Sequence, residues 1–97
     1  MNDKLRKIIN HYGIKQQLKK FNEETFELIE AVTINEVDNF DLVDRELVDK
    51  IVEGIADVVV LLKQIQLYYF IDENLIKKIM EQKVDRQLNR IKIKESD

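Results

Sequence analysis

The chain has 97 residues, of which 44% are apolar and 36% charged, a mix typical of a single folded domain covering 1–97. It has no cysteine and one histidine, which excludes disulfides, thiolate metal sites and multi-histidine zinc sites and is compatible with a reducing cytoplasm. The net charge of −3 and the lack of a long apolar run lead us to expect a soluble, cytoplasmic protein without affinity for nucleic acid or membrane.

Helices dominate the sequence pattern, because the chain has no proline and only two glycines. The pattern predicts an all-α fold of one short and three long helices. Asn2 or Asp3 is expected to cap the first helix, which ends near Tyr12 because Gly13 follows as a stop signal. The second helix is predicted over about 14–32.

The segment 33–42 has no clear period and is predicted to be a loop. Asp44 is expected to cap a third helix that runs to about Phe70, and Asp72 a fourth. Apolar residues at helical spacing are predicted to face the core. They are Leu18, Phe21, Thr25, Leu28, Ile29 and Val32; Leu47, Val48, Ile51, Val52 and Ile55; and Leu75, Ile76, Ile79, Met80, Val84, Leu88 and Ile91.

The third helix is apolar on every side over residues 58–62. A helix of this kind must be covered on every side, which three neighbouring helices of so short a chain can hardly achieve. We therefore expect a homodimer that assembles around the central helices. The alternative is a central helix that is buried within one chain.

Two acidic series share one helical face each. They are Glu23, Glu27 and Glu30, with Glu24 at the edge of the face, and Glu46, Asp49, Glu53 and Asp57. For Glu30, Glu46 and Asp49, exposure to solvent is a sufficient explanation of an acidic side chain at these positions. Asp57 immediately precedes the apolar run, has no lysine or arginine one turn away, and is expected to be partly desolvated. A bound cation would resolve this conflict, and magnesium, or manganese in its place, prefers oxygen ligands.

A basic series stands on the fourth predicted helix, where Lys83, Arg86 and Arg90 are three and four residues apart with Gln87 beside them. Basic side chains facing carboxylates and magnesium would form a cleft that binds phosphate groups. The alternative is a solvated helix end, where cations are favoured by the helix dipole.

The segments EETFELIEAV, EGIADVVVLL and KVDRQLNRI together resemble the MazG-like all-α NTP pyrophosphatases, in particular the short single-domain type of phages and bacteria. The resemblance covers roughly residues 12–91. It implies a four-helix protomer that forms a homodimer or homotetramer. It also implies magnesium-dependent hydrolysis of a nucleoside or deoxynucleoside triphosphate to the monophosphate and pyrophosphate.

The resemblance also implies roles for individual residues. Glu24, Glu27 and Asp57 match metal ligands, and Glu23 or Glu24 would activate the attacking water. Lys83 and Arg90 match the basic positions that face the triphosphate, and Gln87 stands where an asparagine is usual. Gln17 and Phe21 are candidates for contact with the nucleotide.

One position departs from the family pattern, because Gly54 stands where a ligand Glu is expected, three residues before Asp57. Glu53 lies four residues before Asp57, on the same helical face, and would take over as the ligand. Otherwise one ligand is lost and the chain is a weak enzyme or an inactive nucleotide-binding module. A third hypothesis is a helical interaction protein without a ligand site.

Overall fold

The computed structural model describes the backbone of residues 1–38 and 45–96 and the side chains of 1–34 and 45–95. The described chain forms the helices α1 (Asn2–Tyr12), α2 (Ile14–Asp38), α3 (Arg45–Tyr68) and α4 (Glu73–Ser96) and contains no strand. The predicted all-α class, with one short and three long helices, is confirmed.

The end of α1 is predicted correctly and its start is not. Gly13 has a φ of 85°, a conformation that favours glycine, and its N–H donates to the carbonyl of Ile9 at 2.8 Å. Asn2 is already helical, and Met1 occupies the cap position without a side-chain hydrogen bond. Neither Asn2 nor Asp3 therefore caps α1.

Helix α2 is longer than predicted. Residues 33–38 continue the helix to Asp38, and the remainder of the predicted loop, 39–42, lies outside the described residues. The hydroxyl of Thr33 donates to the carbonyl of Ile29 at 2.7 Å, which satisfies this polar side chain within the helix. Polar residues without a glycine or proline did not end the helix here.

The junction between α3 and α4 is a tight reversal. Helix α3 ends at Tyr68, slightly before the predicted Phe70, and Phe70 has a φ of 54°. The N–H of Phe70 donates to the carbonyl of Leu67 at 3.2 Å, and that of Ile71 donates to the carbonyl of Gln66 at 3.0 Å. These two bonds form a Schellman motif with a phenylalanine in the position that glycine usually holds.

The predicted cap of α4 is confirmed. The Oδ1 atom of Asp72 accepts a hydrogen bond from the N–H of Asn74 at 2.9 Å, as an N-cap side chain does. The corresponding prediction for Asp44 at the start of α3 lies outside the described residues.

Packing within one chain involves the first three helices. Helices α2 and α3 pack most extensively on each other, and α1 packs on both. The buried apolar side chains among the described residues are Leu5 and Ile9 of α1 and Leu61 of α3. Gly54 lies where α2 and α3 meet, because a Cβ atom there would be 3.1 Å from Cδ1 of Leu28.

Helix α4 has no comparable packing on the other described helices. Its first residue, Glu73, forms an ion pair with Lys63 of α3 at 3.6 Å between Oε1 and Nζ. The apolar side of α4 was predicted to be core and is mostly exposed in the single chain. The exposed residues are Leu75, Ile79, Met80, Val84, Leu88 and Ile91, and Ile76 is half-buried.

The other predicted core stripes are only partly buried. Phe21, Thr25, Leu28, Leu47, Val48 and Ile51 are half-buried, whereas Leu18, Ile29, Val32, Val52 and Ile55 are exposed. In the apolar run of α3, Leu61 is buried, but Val59, Val60 and Leu62 are exposed. The single chain therefore does not cover the helix that the sequence analysis expected to be covered on all sides.

The dimensions of the chain also show that it buries less surface than a compact monomer of this length. The Cα radius of gyration is 17.3 Å, against about 12.5 Å for a compact domain of this length. The accessible surface is 8464 Å², against about 5,800 Å² for a folded monomer of 11.6 kDa. None of the described helices combines the length and hydropathy needed to cross a bilayer.

Candidate functional site

Carboxylates of α2 and α3 meet at a cavity of about 210 Å³ between the two helices. We call it the carboxylate cavity. It is lined by Glu24, Glu27, Leu28 and Ala31 of α2 and by Lys50, Glu53, Gly54 and Asp57 of α3. The helical spacings of three and four residues place the acidic side chains on facing sides of the crossing. The four predicted metal-ligand positions thus lie at one place.

Glu24 is the electrostatic focus of this cavity. Partial burial raises the pKa of the Glu24 carboxyl, and the negative charges of Glu27 and Asp57 raise it further. The positive charge of Lys20 acts in the opposite direction. A side-chain hydrogen bond between Glu24 and Asp57 also raises this pKa, because the bond requires a proton between the two carboxyl groups.

The expected desolvation of Asp57 is not observed, because Asp57 is exposed in the single chain. The partly desolvated carboxyl is that of Glu24 on the neighbouring helix, and the charge of Asp57 contributes to its raised pKa. The apolar run after Asp57 does not bury it because much of that run is itself exposed.

Lys50 is a residue of this cavity that the sequence analysis missed. It lines the cavity together with Glu53 and Asp57. It lies seven residues, or about two helical turns, before Asp57, so it shares that face of α3. A search over two turns rather than one would have found it.

The structure gives Gly54 a packing role. It lines the cavity beside Glu53, and the Leu28 side chain occupies the space next to its Cα atom. A longer side chain at position 54 would meet Leu28 before it could extend toward α2. Glu53 therefore lines the carboxylate cavity from the same segment of α3 without disturbing the contact of the two helices.

The donor set fits a hard divalent cation in its chemistry, because it offers the oxygens of four carboxyl groups against the single positive charge of Lys50. No group of three or more described Asp, Glu or His side chains is, however, already arranged to coordinate a metal ion. The carboxyl groups would have to converge around a cation.

The basic residues of α4 are not part of this cavity. Lys83, Arg86 and Arg90 are exposed, as is Gln87, and none of them lines the carboxylate cavity. Within one chain, the basic residues of α4 and the carboxylates of the cavity are therefore not brought together. The reason is that α4 does not pack back on α2 and α3.

A second cavity adjoins the carboxylate cavity through Asp57, which lines both. It measures about 380 Å³ and is called the amide cavity here, after Gln17 and Gln64 in its wall. The Nε2 atom of Gln17 donates to Oε1 of Gln64 at 2.8 Å, and the two residues are only 4% and 2% exposed. Tyr12 is another lining residue.

Gln17 was singled out by the sequence analysis, but Gln64 and Tyr12 were not. A glutamine in an apolar segment gives no sign in sequence of a partner 47 residues away. Phe21 is half-buried and lines neither cavity, and the exposed Glu23 does not line the carboxylate cavity. The roles predicted for Phe21 and Glu23 remain predictions.

Comparison of the chain with protein-family models, with curated proteins and with solved structures gives no match.

Proposed function

We propose that the protein is a magnesium-dependent nucleoside triphosphate pyrophosphohydrolase that converts a nucleoside or deoxynucleoside triphosphate to its monophosphate and pyrophosphate. The observation that carries the proposal is the convergence of Glu24, Glu27, Glu53 and Asp57 on one cavity between α2 and α3. Four carboxylates gathered at one place repel one another, which is costly unless they serve a cation. The resemblance to the MazG-like enzymes supports the same reaction.

The metal would be held by Glu24, Glu27, Glu53 and Asp57, with manganese as a substitute for magnesium. When bound, magnesium supplies positive charge that offsets the negative charge of the phosphates during hydrolysis. Glu53 replaces the carboxylate that the family pattern expects at position 54. Lys50 would remain as a cation at the edge of the cavity that approaches the phosphate oxygens.

The chemical step is the attack of water on the α-phosphorus. A new oxygen–phosphorus bond forms, the bond to the pyrophosphate leaving group breaks, and the water gives up a proton. Glu24 is the better placed of the two candidate bases, because it lines the cavity and Glu23 does not. Glu23 lies on the exposed side of the same helix.

The proposal includes assembly of the chain with further copies of itself, as a homodimer or homotetramer. The accessible surface of one chain exceeds that of a compact monomer by about 2,600 Å², or about 5,200 Å² for two chains, which is at the upper end of the total area that obligate homodimers bury. The exposed apolar residues of α3 and α4 provide the surface to be covered. Exclusion of this surface from water would be the main driving force for assembly.

Charge supports the same assembly. Helix α4 carries seven lysines and arginines against four acidic residues, whereas α2 carries six acidic residues against three lysines. Lys83, Arg86 and Arg90 do not reach the carboxylate cavity of their own chain. If they bind the triphosphate, they do so in the site of another copy. The predicted phosphate-binding role of these residues therefore depends on assembly.

A pyrophosphate-release assay over the common ribonucleoside and deoxynucleoside triphosphates, with magnesium or manganese, tests the activity. We expect turnover with at least one of them, about 100-fold or greater loss in Asp57→Asn, and wild-type activity in Asp49→Asn. Asp49 is the matched control because it is an exposed aspartate of α3 that does not line the cavity. Absence of turnover at high enzyme concentration would contradict the proposal.

The same assay distinguishes the proposed enzyme from an inactive nucleotide-binding module. That alternative arises because Gly54 stands where a metal-ligand Glu is expected. Such a module would be stabilised against heat by a triphosphate without releasing pyrophosphate. An interaction protein without a ligand site would show neither effect, and magnesium would leave its melting temperature unchanged.

A further inference from the structure

The buried amide pair at the floor of the amide cavity has unused hydrogen-bonding capacity. Two amides that share one hydrogen bond still hold one carbonyl oxygen and N–H groups for another partner. Neither the Gln17 nor the Gln64 side chain makes another hydrogen bond within the described part of the chain. Both residues are more than nine-tenths buried, and both line the cavity.

The position of the pair relative to the carboxylates is the second observation. Asp57 lines both cavities, so a ligand whose phosphates lie at the carboxylates can place its uncharged end in the amide cavity. Apart from the two amides and the charged Lys20 and Asp57, the residues that line that cavity are apolar or aromatic and include Tyr12, Val60 and Leu61. A cavity with apolar walls and a few fixed polar groups suits a planar heterocycle.

We propose that Gln64 is a positioning residue for substrate selection. By holding the Gln17 amide in one orientation, it makes the pair present an acceptor and a donor side by side to the nucleobase of the substrate. This inference rests on the proposed function, since it assigns the nucleobase to the amide cavity and the phosphates to the carboxylate cavity. The class of group recognised is a heterocyclic edge with an adjacent N–H donor and acceptor.

The orientation depends on Gln64 for a physical reason. A glutamine amide can turn over, which exchanges its donor and acceptor ends and would present a mixture of surfaces to a ligand. The 2.8 Å bond from Gln17 Nε2 to Gln64 Oε1 couples the two amides, because turning either one alone would set two like ends against each other. The pair therefore always presents one free acceptor and one free donor side by side, and never two like groups.

Inorganic tripolyphosphate separates this inference from the proposed function, because it carries the phosphates without a base. The affinities of dATP, dCTP, dGTP, dTTP, UTP and tripolyphosphate would be measured by calorimetry with calcium in place of magnesium, to slow hydrolysis. For the wild-type protein we expect at least one nucleotide to bind about tenfold more tightly than tripolyphosphate, the worth of one or two hydrogen bonds.

Two substitutions test Gln64 itself. Gln64→Met removes the amide at similar length, and Gln64→Glu keeps the oxygen that accepts from Gln17 but removes the N–H donors. Both are expected to bring the best nucleotide to within about twofold of tripolyphosphate. Gln64→Met should leave the tripolyphosphate affinity unchanged, whereas the acidic group of Gln64→Glu should weaken the binding of both polyanions alike. Gln66→Met is the control, because the Gln66 amide donates to the carbonyl of Ile71 at 3.3 Å, outside this cavity.

The outcomes are distinct. If Gln64→Met lowers the melting temperature but keeps the nucleotide preference, the pair is structural only and the inference is wrong. Gln64→Glu decides the question if Gln64→Met does not fold. A wild-type protein that binds tripolyphosphate as tightly as every nucleotide also overturns the inference, although hydrolysis at the carboxylates would still stand. Absence of any binding overturns the proposed function as well.

Discussion

At the scale of the residue, Glu24 shows how the chain concentrates charge at one place. Its carboxyl is partly buried, and it is held between Glu27 on its own helix and Asp57 on the next. Since these surroundings raise its pKa, the folded protein binds a proton at Glu24 more tightly than the unfolded chain does. Stability must then fall as the pH rises through the range between the unfolded and the folded pKa.

The direction of this change in stability with pH gives a prediction for Glu24→Gln. At pH 7 without divalent cations, above the affected range, the substitution is expected to raise the melting temperature by about 2 °C, the scale of one like-charge pair. Near pH 3 the gain should vanish, because Glu24 is then almost fully protonated in both states. Thermal melts at the two pH values measure it.

Glu23→Gln is the control for this experiment, because Glu23 is the exposed neighbour of Glu24 and does not line the cavity. It should leave the melting temperature unchanged at both pH values. Destabilisation by Glu24→Gln at pH 7, or an equal gain at both pH values, would contradict the electrostatic picture of the cavity.

The residues of the site differ in how far sequence could predict them. Glu24, Glu27, Glu53 and Asp57 follow from helical spacing, which places carboxylates of two helices on faces that can meet. Gln64 could not be predicted in this way. Its role depends on a contact between two helices at positions distant in sequence, and no local pattern encodes which side chains meet there.

At the scale of the element, Gly54 sets how closely α2 and α3 approach. A Cβ atom there would be 3.1 Å from Cδ1 of Leu28, which is tighter than an ordinary contact. Glycine within a helix costs about 1 kcal/mol relative to alanine, so the close approach of the helices accounts for a residue that is otherwise unfavourable.

A double-mutant cycle tests this role of Gly54. Gly54→Ala is expected to change stability little in the wild-type protein, because the gain in helix propensity is offset by the contact with Leu28. In a Leu28→Ala background the same change should stabilise by about 1 kcal/mol. Chemical denaturation of the four proteins gives the values. Equal effects of Gly54→Ala in both backgrounds would show that Leu28 does not restrict this position.

Helix ends show a similar division between local and non-local causes. Gly13 and Asp72 act through their own backbone and side chain, and both were predicted correctly. The extension of α2 to Asp38 was missed because a polar segment permits a helix as well as a loop when nothing breaks it. Helix α3 ends before Phe70 because the backbone of Phe70 adopts the left-handed conformation, which is unfavourable for a residue with a side chain and was therefore not predicted.

At the scale of the whole molecule, a single chain leaves too much apolar surface exposed to be a compact unit. The apolar pattern of α4 was recognised in the sequence, but pattern alone does not say whether a helix packs on its own chain or on another. In the single chain, Val84 and Leu88 are 54% and 58% exposed. The extended shape, with a longest dimension of 50 Å, agrees with an intermolecular partner for this face.

We predict that the protein in solution has a mass of at least twice 11.6 kDa, as measured by light scattering during size exclusion. Replacing Val84 and Leu88 by aspartate should raise the dissociation constant about tenfold or more per site, since each side chain gains over 1 kcal/mol on burial. Gln82→Asp, at an exposed polar position of α4, is the control. A monodisperse monomer at micromolar concentration would contradict the proposed assembly.

Assembly and activity are linked in this proposal, because the basic residues of α4 reach a carboxylate cavity only in another copy. The Val84/Leu88 double variant should therefore lose triphosphate turnover in parallel with its loss of assembly. Its activity should recover at protein concentrations that restore the oligomer. Full activity in a monomeric variant would show that Lys83, Arg86 and Arg90 are not needed in the site.

The most direct test of the central claim is a titration of the protein with Mn²⁺, followed by electron paramagnetic resonance of the free ion. The carboxylate cavity predicts one or two strong sites per chain, lost in Glu27→Gln and retained in Asp49→Asn, and competed by Mg²⁺. Wild-type protein that binds no Mn²⁺ at millimolar concentration, or Glu27→Gln that binds it as the wild type does, would contradict a metal site between α2 and α3.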